Sequence, residues 1–373
     1  MRLAYLSTDP GIAYGGTKGA CVHLAAIVEA LAAEDHDLLV LVNAIDPVGS
    51  QPPPGAIVEA LPGPGKGTRV TERLCFQSEL AAWLERRVEQ FDADILYERL
   101  ALHSAAGAVV AKRLRIPHLV ELNAPLLDEA ARYRTLDVPE VAERLERVTL
   151  SGADVVFAVS PPLAAYATTR GASRVEVLQN AAAIERFPPP HRNGASPVAV
   201  FSGSLRPWHG IQTIVEAWRL LGASAPRLLV VGNGPSGSLL RGLAATVTGP
   251  VPHARVPSLL AGAAIGLAPY SFDAPRYFSP LKLFEYLAAG LATVVADLPA
   301  VTAVVDDETA VVIPPGDAEA LAESVAALCA DPSRRRRLGD NGRALVEARH
   351  TWRHRARRIH EAAAELARAE VKG

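Results

Sequence analysis

Methionine occurs once in the 373 residues, cysteine three times, and aromatic residues make up only 5% of the chain. The thiols Cys21, Cys75 and Cys329 are odd in number, far apart and set in helix-like stretches. They suggest neither a disulfide framework nor a zinc site, and favour a reducing, cytoplasmic setting. No run of about 18 apolar residues occurs, so no transmembrane segment is expected. The opening MRLAYLSTDP brings in Asp9 and Pro10 too early for the apolar stretch of a secretory leader. Excess charge is scarce too: a net charge of −2 and a pI near 6.6 leave no electrostatic footprint for nucleic acid. Lysine is rare among the cations, with only Lys18, Lys66, Lys112, Lys282 and Lys372, so where each one sits is informative.

What is present is apolar: 49% of residues are hydrophobic, enough for two domains of ordinary size. Apolar β-like runs alternate with 3.6-periodic stretches in two series. The first has strands Arg2–Ser7, Asp37–Val42, Ile95–Glu98, His118–Leu122 and Val155–Val159, with helices such as Ala20–Ala33 and Glu72–Gln90. The second runs strand Val198–Gly203, helix Ile211–Leu221, strand Arg227–Val231, helix Ser236–Thr246, strand Ile265–Ala268, helix Pro280–Ala289, strand Thr293–Ala296 and helix Ala318–Cys329. Between them "PPPHRNGASP" (188–197) reads as a linker. Such βαβ series predict an α/β fold of two doubly wound, Rossmann-like domains, 1–187 and 198–351, facing each other across a cleft.

Two of the five lysines lie where a helix dipole disfavours a cation. Lys18 follows "GGT" at the start of the first helix. Lys282 falls just after Ser279 and Pro280, a serine-proline pair that predicts a capped helix start. A bound phosphate would account for both, since helix N-termini bind anions; snorkelling to water is the alternative. Glycines 15, 16 and 19 allow close backbone approach, and Thr17 is a candidate cap. Glu285, one turn beyond Lys282, is placed to accept hydrogen bonds from ribose hydroxyls. "GNGPSG" (232–237) matches a dinucleotide fingerprint, but no Asp or Glu occurs between Ala217 and Phe272 to hold a ribose there.

Together with the "GGTKGA" loop, the segments "VAVFSGSLRPWHGIQTIVEAW", "RLLVVGNGP", "VPSLLAGAAIGLAPY", "SPLKLFEYLAAGLATVVADLP" and "AVVIPPGDAEALAESV" resemble the retaining, GT-B fold glycosyltransferases of family 4 over nearly the whole chain. The resemblance implies a nucleotide-diphosphate sugar donor, UDP- or GDP-linked, held mainly by the C-terminal domain. It also implies an acceptor held mainly by the N-terminal domain, no cofactor and no metal. Residue by residue, it makes Arg206 and Lys282 the catalytic cations on the diphosphate, and Glu285 the ribose clamp. Gly15, Gly16, His209, Gly249, Val256, Ser279 and Leu281 are the other donor contacts. Two positions depart from the pattern: Tyr277 stands where many members have a glutamate, and His209 where a lysine is common. His209 is read as a remaining hydrogen-bond donor, or else as a helix-start histidine stacked near Trp208. The helix from Trp352 is assigned back to the N-terminal domain.

On the acceptor side, Glu98, Arg99, Glu121 and Asn123 end apolar strands, with Lys18 in the loop before them; the alternative is a salt bridge with loop caps. The expected acceptor is small and soluble, such as a sugar or natural-product intermediate, with a lipid-linked or polysaccharide acceptor as the alternative. A catalytically silent nucleotide-sugar-binding subunit is the other class of reading. "DAD" at 92–94 resembles a metal-binding motif but reads as turn residues before a strand. "SRRRRL" (333–338) reads as a solvated helix face.

Overall fold

The computed structural model describes residues 1–49, 51–133, 135–189 and 197–370. The linker expected over 188–197 lies outside the described residues except at Pro188, Pro189 and Pro197. The chain forms two units, Met1–Gln179 with Trp352–Gly373, and Asn180–Thr351, and each is described by itself.

The first unit is built on seven parallel strands: β1 (Arg2–Ser7), β2 (Asp37–Val42), β3 (Ala56–Ala60), β4 (Ile95–Arg99), β5 (His118–Leu122), β6 (Val155–Ala158) and β7 (Val175–Val177). Their order is β3-β2-β1-β4-β5-β6-β7. The inner strands are buried on both faces, which explains their near-continuous apolar runs. The helix read as Glu72–Gln90 is two, Val70–Cys75 and Gln77–Phe91, divided at Phe76. Phe76 packs its ring over Gly63, where a side chain would meet it at 2.1 Å. The C-terminal helix Trp352–Glu370 lies along Gly19–Ala32; Trp352 meets the His23 ring edge-on at 5.0 Å, and Arg353 Nε donates to Glu34 at 2.6 Å.

Strand alternation divides the polar residues of this sheet. In the parallel register Tyr5 faces Tyr97 and Arg99 faces Glu121, so these four share one side. Glu98 points to the other side, fully buried, its Oε2 2.9 Å from His118 Nε2. Glu98 is therefore not a member of the strand-end group expected for the acceptor. Gly107 lets it fit: a Cβ there would stand 2.1 Å from Glu98 Oε2. Gly107→Ala is expected to displace the carboxylate from His118 and to destabilise this unit by about 2 kcal/mol, read as a lower urea midpoint; an unchanged midpoint would show that the pair relaxes freely.

The second unit has six parallel strands: β8 (Val198–Ser202), β9 (Arg227–Val231), β10 (Ala245–Val247), β11 (Ile265–Ala268), β12 (Ala292–Ala296) and β13 (Ala310–Ile313), in the order β10-β9-β8-β11-β12-β13. Along β8, Ala199 and Phe201 join the core with Ile211, Ile214 and Trp218, while Val200 joins the opposite core with Tyr286 and Leu287. The helix expected over Ser236–Thr246 is a 3-10 turn, Pro235–Leu240, followed by β10. Ser236 N–H goes to Leu205 O, outside the segment, and Gly242 turns left-handed at φ 83°, so no α-helical ladder continues. Among the described residues, no helix is long and apolar enough to cross a membrane.

Candidate functional site

The ends of β8 and β11 lead to residues that lie beside Lys282. The helix Leu281–Ala288 starts at the end of a loop, and its N-terminus has no side-chain cap. The expected cap, Ser279, is engaged elsewhere: its Oγ accepts Asn180 N–H at 3.0 Å and its carbonyl accepts Asn180 Nδ2 at 2.5 Å. Leu283 N–H closes on Pro280 O at 3.1 Å, and among the described residues no side chain caps the amides before it. Lys282, only 8% exposed, points its Nζ over the Phe201 ring at 3.9 Å and lies 5.6 Å from the Tyr270 ring centre. Among the described residues, Nζ has no hydrogen-bond partner. Gly203, at φ 129°, makes the room; a Cβ there would meet Nζ at 3.1 Å. Burial pushes the Lys282 amine down to about 7, against an opposing pull from Glu285. A cation so placed is incomplete by itself: two aromatic faces attract it, but only an anion would hold it fully charged.

Arg206 is exposed and lies 5.9 Å from the Trp208 ring. His209 sits against Trp208 and Tyr270, and its Nδ1 donates to the Ser204 carbonyl. Burial, with Lys282 and Arg206 nearby, pushes its pKa down to about 3, so the ring is neutral. With Nδ1 engaged by the Ser204 carbonyl, Nε2 is the ring atom left for any other group. Glu285, also 8% exposed, receives His253 Nε2 at 2.6 Å, a partner the sequence reading missed. Gly249, at φ 72°, bridges Gly232 by backbone, Leu281 is half-buried at the helix start, and Val256 turns its side chain into the core.

In the first unit the polar side of the sheet forms one hub. Glu121 Oε1 accepts from Tyr5 at 3.0 Å, Arg99 at 2.8 Å and Asn123 at 3.1 Å. Its Oε2 accepts from His23 at 2.9 Å and Tyr97 at 2.8 Å. Burial alone would raise this carboxyl, but the His23 and Arg99 charges and the surrounding hydrogen bonds hold it well below the usual range. So saturated a carboxylate does not serve as a base; it orients Arg99 and Asn123. A pocket beside it is lined by His23, Tyr97, Trp352 and Arg355. Lys18 lies apart, exposed, 3.4 Å from Gly11 O, and Thr17 makes no cap, since the helix begins after Lys18. In the same loop Gly15 turns at φ 82°, and Gly16 packs over Cys21.

Asp92 and Asp94 of the "DAD" string bind Arg2, the first its side chain at 3.1 Å and the second its backbone N–H at 2.6 Å. Among the described residues, no group of three or more His, Cys, Asp or Glu side chains is placed to hold a metal.

Comparison with known proteins gives two family matches, a glycosyl transferase 4-like domain over residues 18–181 and glycosyl transferases group 1 over residues 196–331. A curated relative, the putative teichuronic acid biosynthesis glycosyltransferase TuaC of Bacillus subtilis (strain 168), is 26% identical over 246 residues. That match spans 62% of this chain and 60% of the relative's length. Among solved structures, sucrose-phosphate synthase from Thermosynechococcus elongatus superposes with a TM-score of 0.77 at 20% identity, covering 99% of both chains. Anabaena HepE in complex with UDP superposes at 0.72 and 16% identity, covering 98% of this chain and all of that one. Both share the fold, α/β with two parallel-sheet domains.

Proposed function

The chain belongs to the group 1 glycosyltransferases of GT-B fold, and from that premise we propose that it moves a sugar from a UDP- or GDP-sugar to a small soluble acceptor. In this reading the transfer retains the anomeric configuration and needs no metal ion. The observation that carries it is Lys282, an amine nearly buried and, among the described residues, without a hydrogen-bond partner at a helix start that no side chain caps. A diphosphate supplies the missing anion to the amine and the helix amides together. Arg206 adds a second cation from the neighbouring loop.

The chemistry then follows from charge. As the bond between the anomeric carbon and the diphosphate oxygen breaks, negative charge grows on the leaving group, and Lys282 and Arg206 stabilise it in place. The acceptor oxygen bonds to the same face of the sugar, and its proton passes to the departing phosphate. No covalent nucleophile from the protein is assigned. Glu285 accepts from the ribose, backbone near Gly249 and Val256 borders the base, and Ser279 and Leu281 shape the approach to the helix start. In the first unit, Arg99 and Asn123, oriented by Glu121, hold acceptor hydroxyls. A polysaccharide acceptor is the second reading, favoured by the relative named for teichuronic acid biosynthesis.

Calorimetric titration with UDP and with GDP, in the presence of EDTA, tests the site. One nucleotide is expected to bind, and Glu285→Ala to weaken it by about tenfold or more through lost charge-assisted hydrogen bonds. Failure of both nucleotides to bind, or an unaffected Glu285→Ala variant, would remove the basis of the reading.

A further inference from the structure

We propose that His253 is a positioning residue that fixes the Glu285 carboxylate, so that the site selects ribonucleoside diphosphates over their 2′-deoxy counterparts. The inference rests on the diphosphate reading of the site and adds to it the sugar of the nucleotide. His253 opens the turn His253–Arg255, which leads directly into the helix Val256–Leu260. Glu285 comes from a different element, one turn into Leu281–Ala288. The two meet with Nε2 2.6 Å from Oε1, a short contact in which the ring N–H donates, since the ionised carboxylate only accepts. No other hydrogen bond to this carboxylate occurs among the described residues.

The terminal torsion of a glutamate is broad, so an unattached carboxylate turns easily. One N–H anchored on Oε1 sets the plane of the group. Oε2 and the second lone pair of Oε1 then remain, two acceptor positions side by side, a fit for two neighbouring hydroxyls such as those of a ribose. A 2′-deoxyribose fills one of them and leaves the other buried and unsatisfied, and that asymmetry is the source of discrimination. His253 makes no contact with the nucleotide in this scheme; it acts through Glu285. A third of its side chain is exposed, so its removal leaves no large cavity.

The test compares UDP with 2′-deoxy-UDP, and GDP with 2′-deoxy-GDP, by titration calorimetry on the wild type, His253→Ala and His253→Gln. The wild type is expected to prefer the ribonucleotide by about tenfold or more. His253→Ala should weaken the ribonucleotide and leave the deoxynucleotide almost unchanged, collapsing the preference to about twofold, with little change in melting temperature. His253→Gln, whose amide reaches a similar point, should restore much of the preference. A preference that survives His253→Ala, or a uniform loss for both nucleotides, would overturn the positioning role. A wild type that binds the diphosphate without preferring ribose would overturn it while leaving the diphosphate reading intact. If none of the four nucleotides binds, both readings fall.

Discussion

Lys282→Met is expected to lower kcat/KM by about a thousandfold, the scale of losing a preorganised electrostatic contact, while raising the stability of the fold. The two effects have one origin. Burial lowers the amine's pKa from an ordinary 10.5 to about 7, so between those values the native state binds fewer protons than the unfolded chain. The cost of burying the cation is therefore complete below pH 7 and disappears as pH rises toward 10.5. Methionine keeps the length and the contact with Phe201 and removes the charge; the gain should be about 1–4 kcal/mol at pH 6 and shrink above pH 9. Urea unfolding of both proteins at the two pH values, with steady-state rates, checks this. A variant no more stable than the wild type at pH 6 would mean that the cation is compensated in the free protein. The same titration predicts that diphosphate binding takes up a proton above pH 7 and weakens as pH rises.

Glu121→Gln should have the largest effect in the opposite direction. Five donors converge on this carboxylate, and an amide can accept at only one of its two ends. Arg99 is then left buried without its counter-charge, a change that typically destabilises by about 3–5 kcal/mol. The sign of its pH dependence is fixed too. The carboxyl is held below its unfolded value, so the stability it contributes is present above the usual carboxylate range and fades as pH falls through the lowered pKa. The gap between variant and wild type, measured by denaturant unfolding, should be wide at pH 7 and narrower well below pH 4. Equal stabilities at pH 7 would rule out the hub as a source of cohesion for the first unit.

The parallel strands were legible in the sequence because sheets covered on both faces need unbroken apolar runs; β1, β2, β5 and β9 fall on the residues read for them. The helix start that carries Lys282 and Glu285 was legible for another reason: proline fits the first turn of a helix, and the helical period puts position 285 one turn beyond 282. What the sequence concealed depends on distant pairs. Phe201 lies far along the chain from Lys282 and Tyr270 in the loop before its helix, and no local pattern marks them as its walls. His253 stands 32 residues from Glu285. Ser279 misled because serine before proline is a good cap only when nothing else competes for its oxygen, and Asn180 does. Glu98 and Arg99 adjoin in sequence yet face opposite sides of the sheet, so the clue that divides them is strand alternation rather than proximity.

The aromatic surroundings of Lys282 also bear on its reactivity. An amine with a pKa near 7 spends much of its time at neutral pH as the free base, with an available lone pair. Without a bound anion this lysine is expected to react with small aldehydes and acylating agents more readily than an amine on the open surface does. A diphosphate seated against it would return the proton and remove the lone pair, so a ligand of that class would double as a protecting group for the amine.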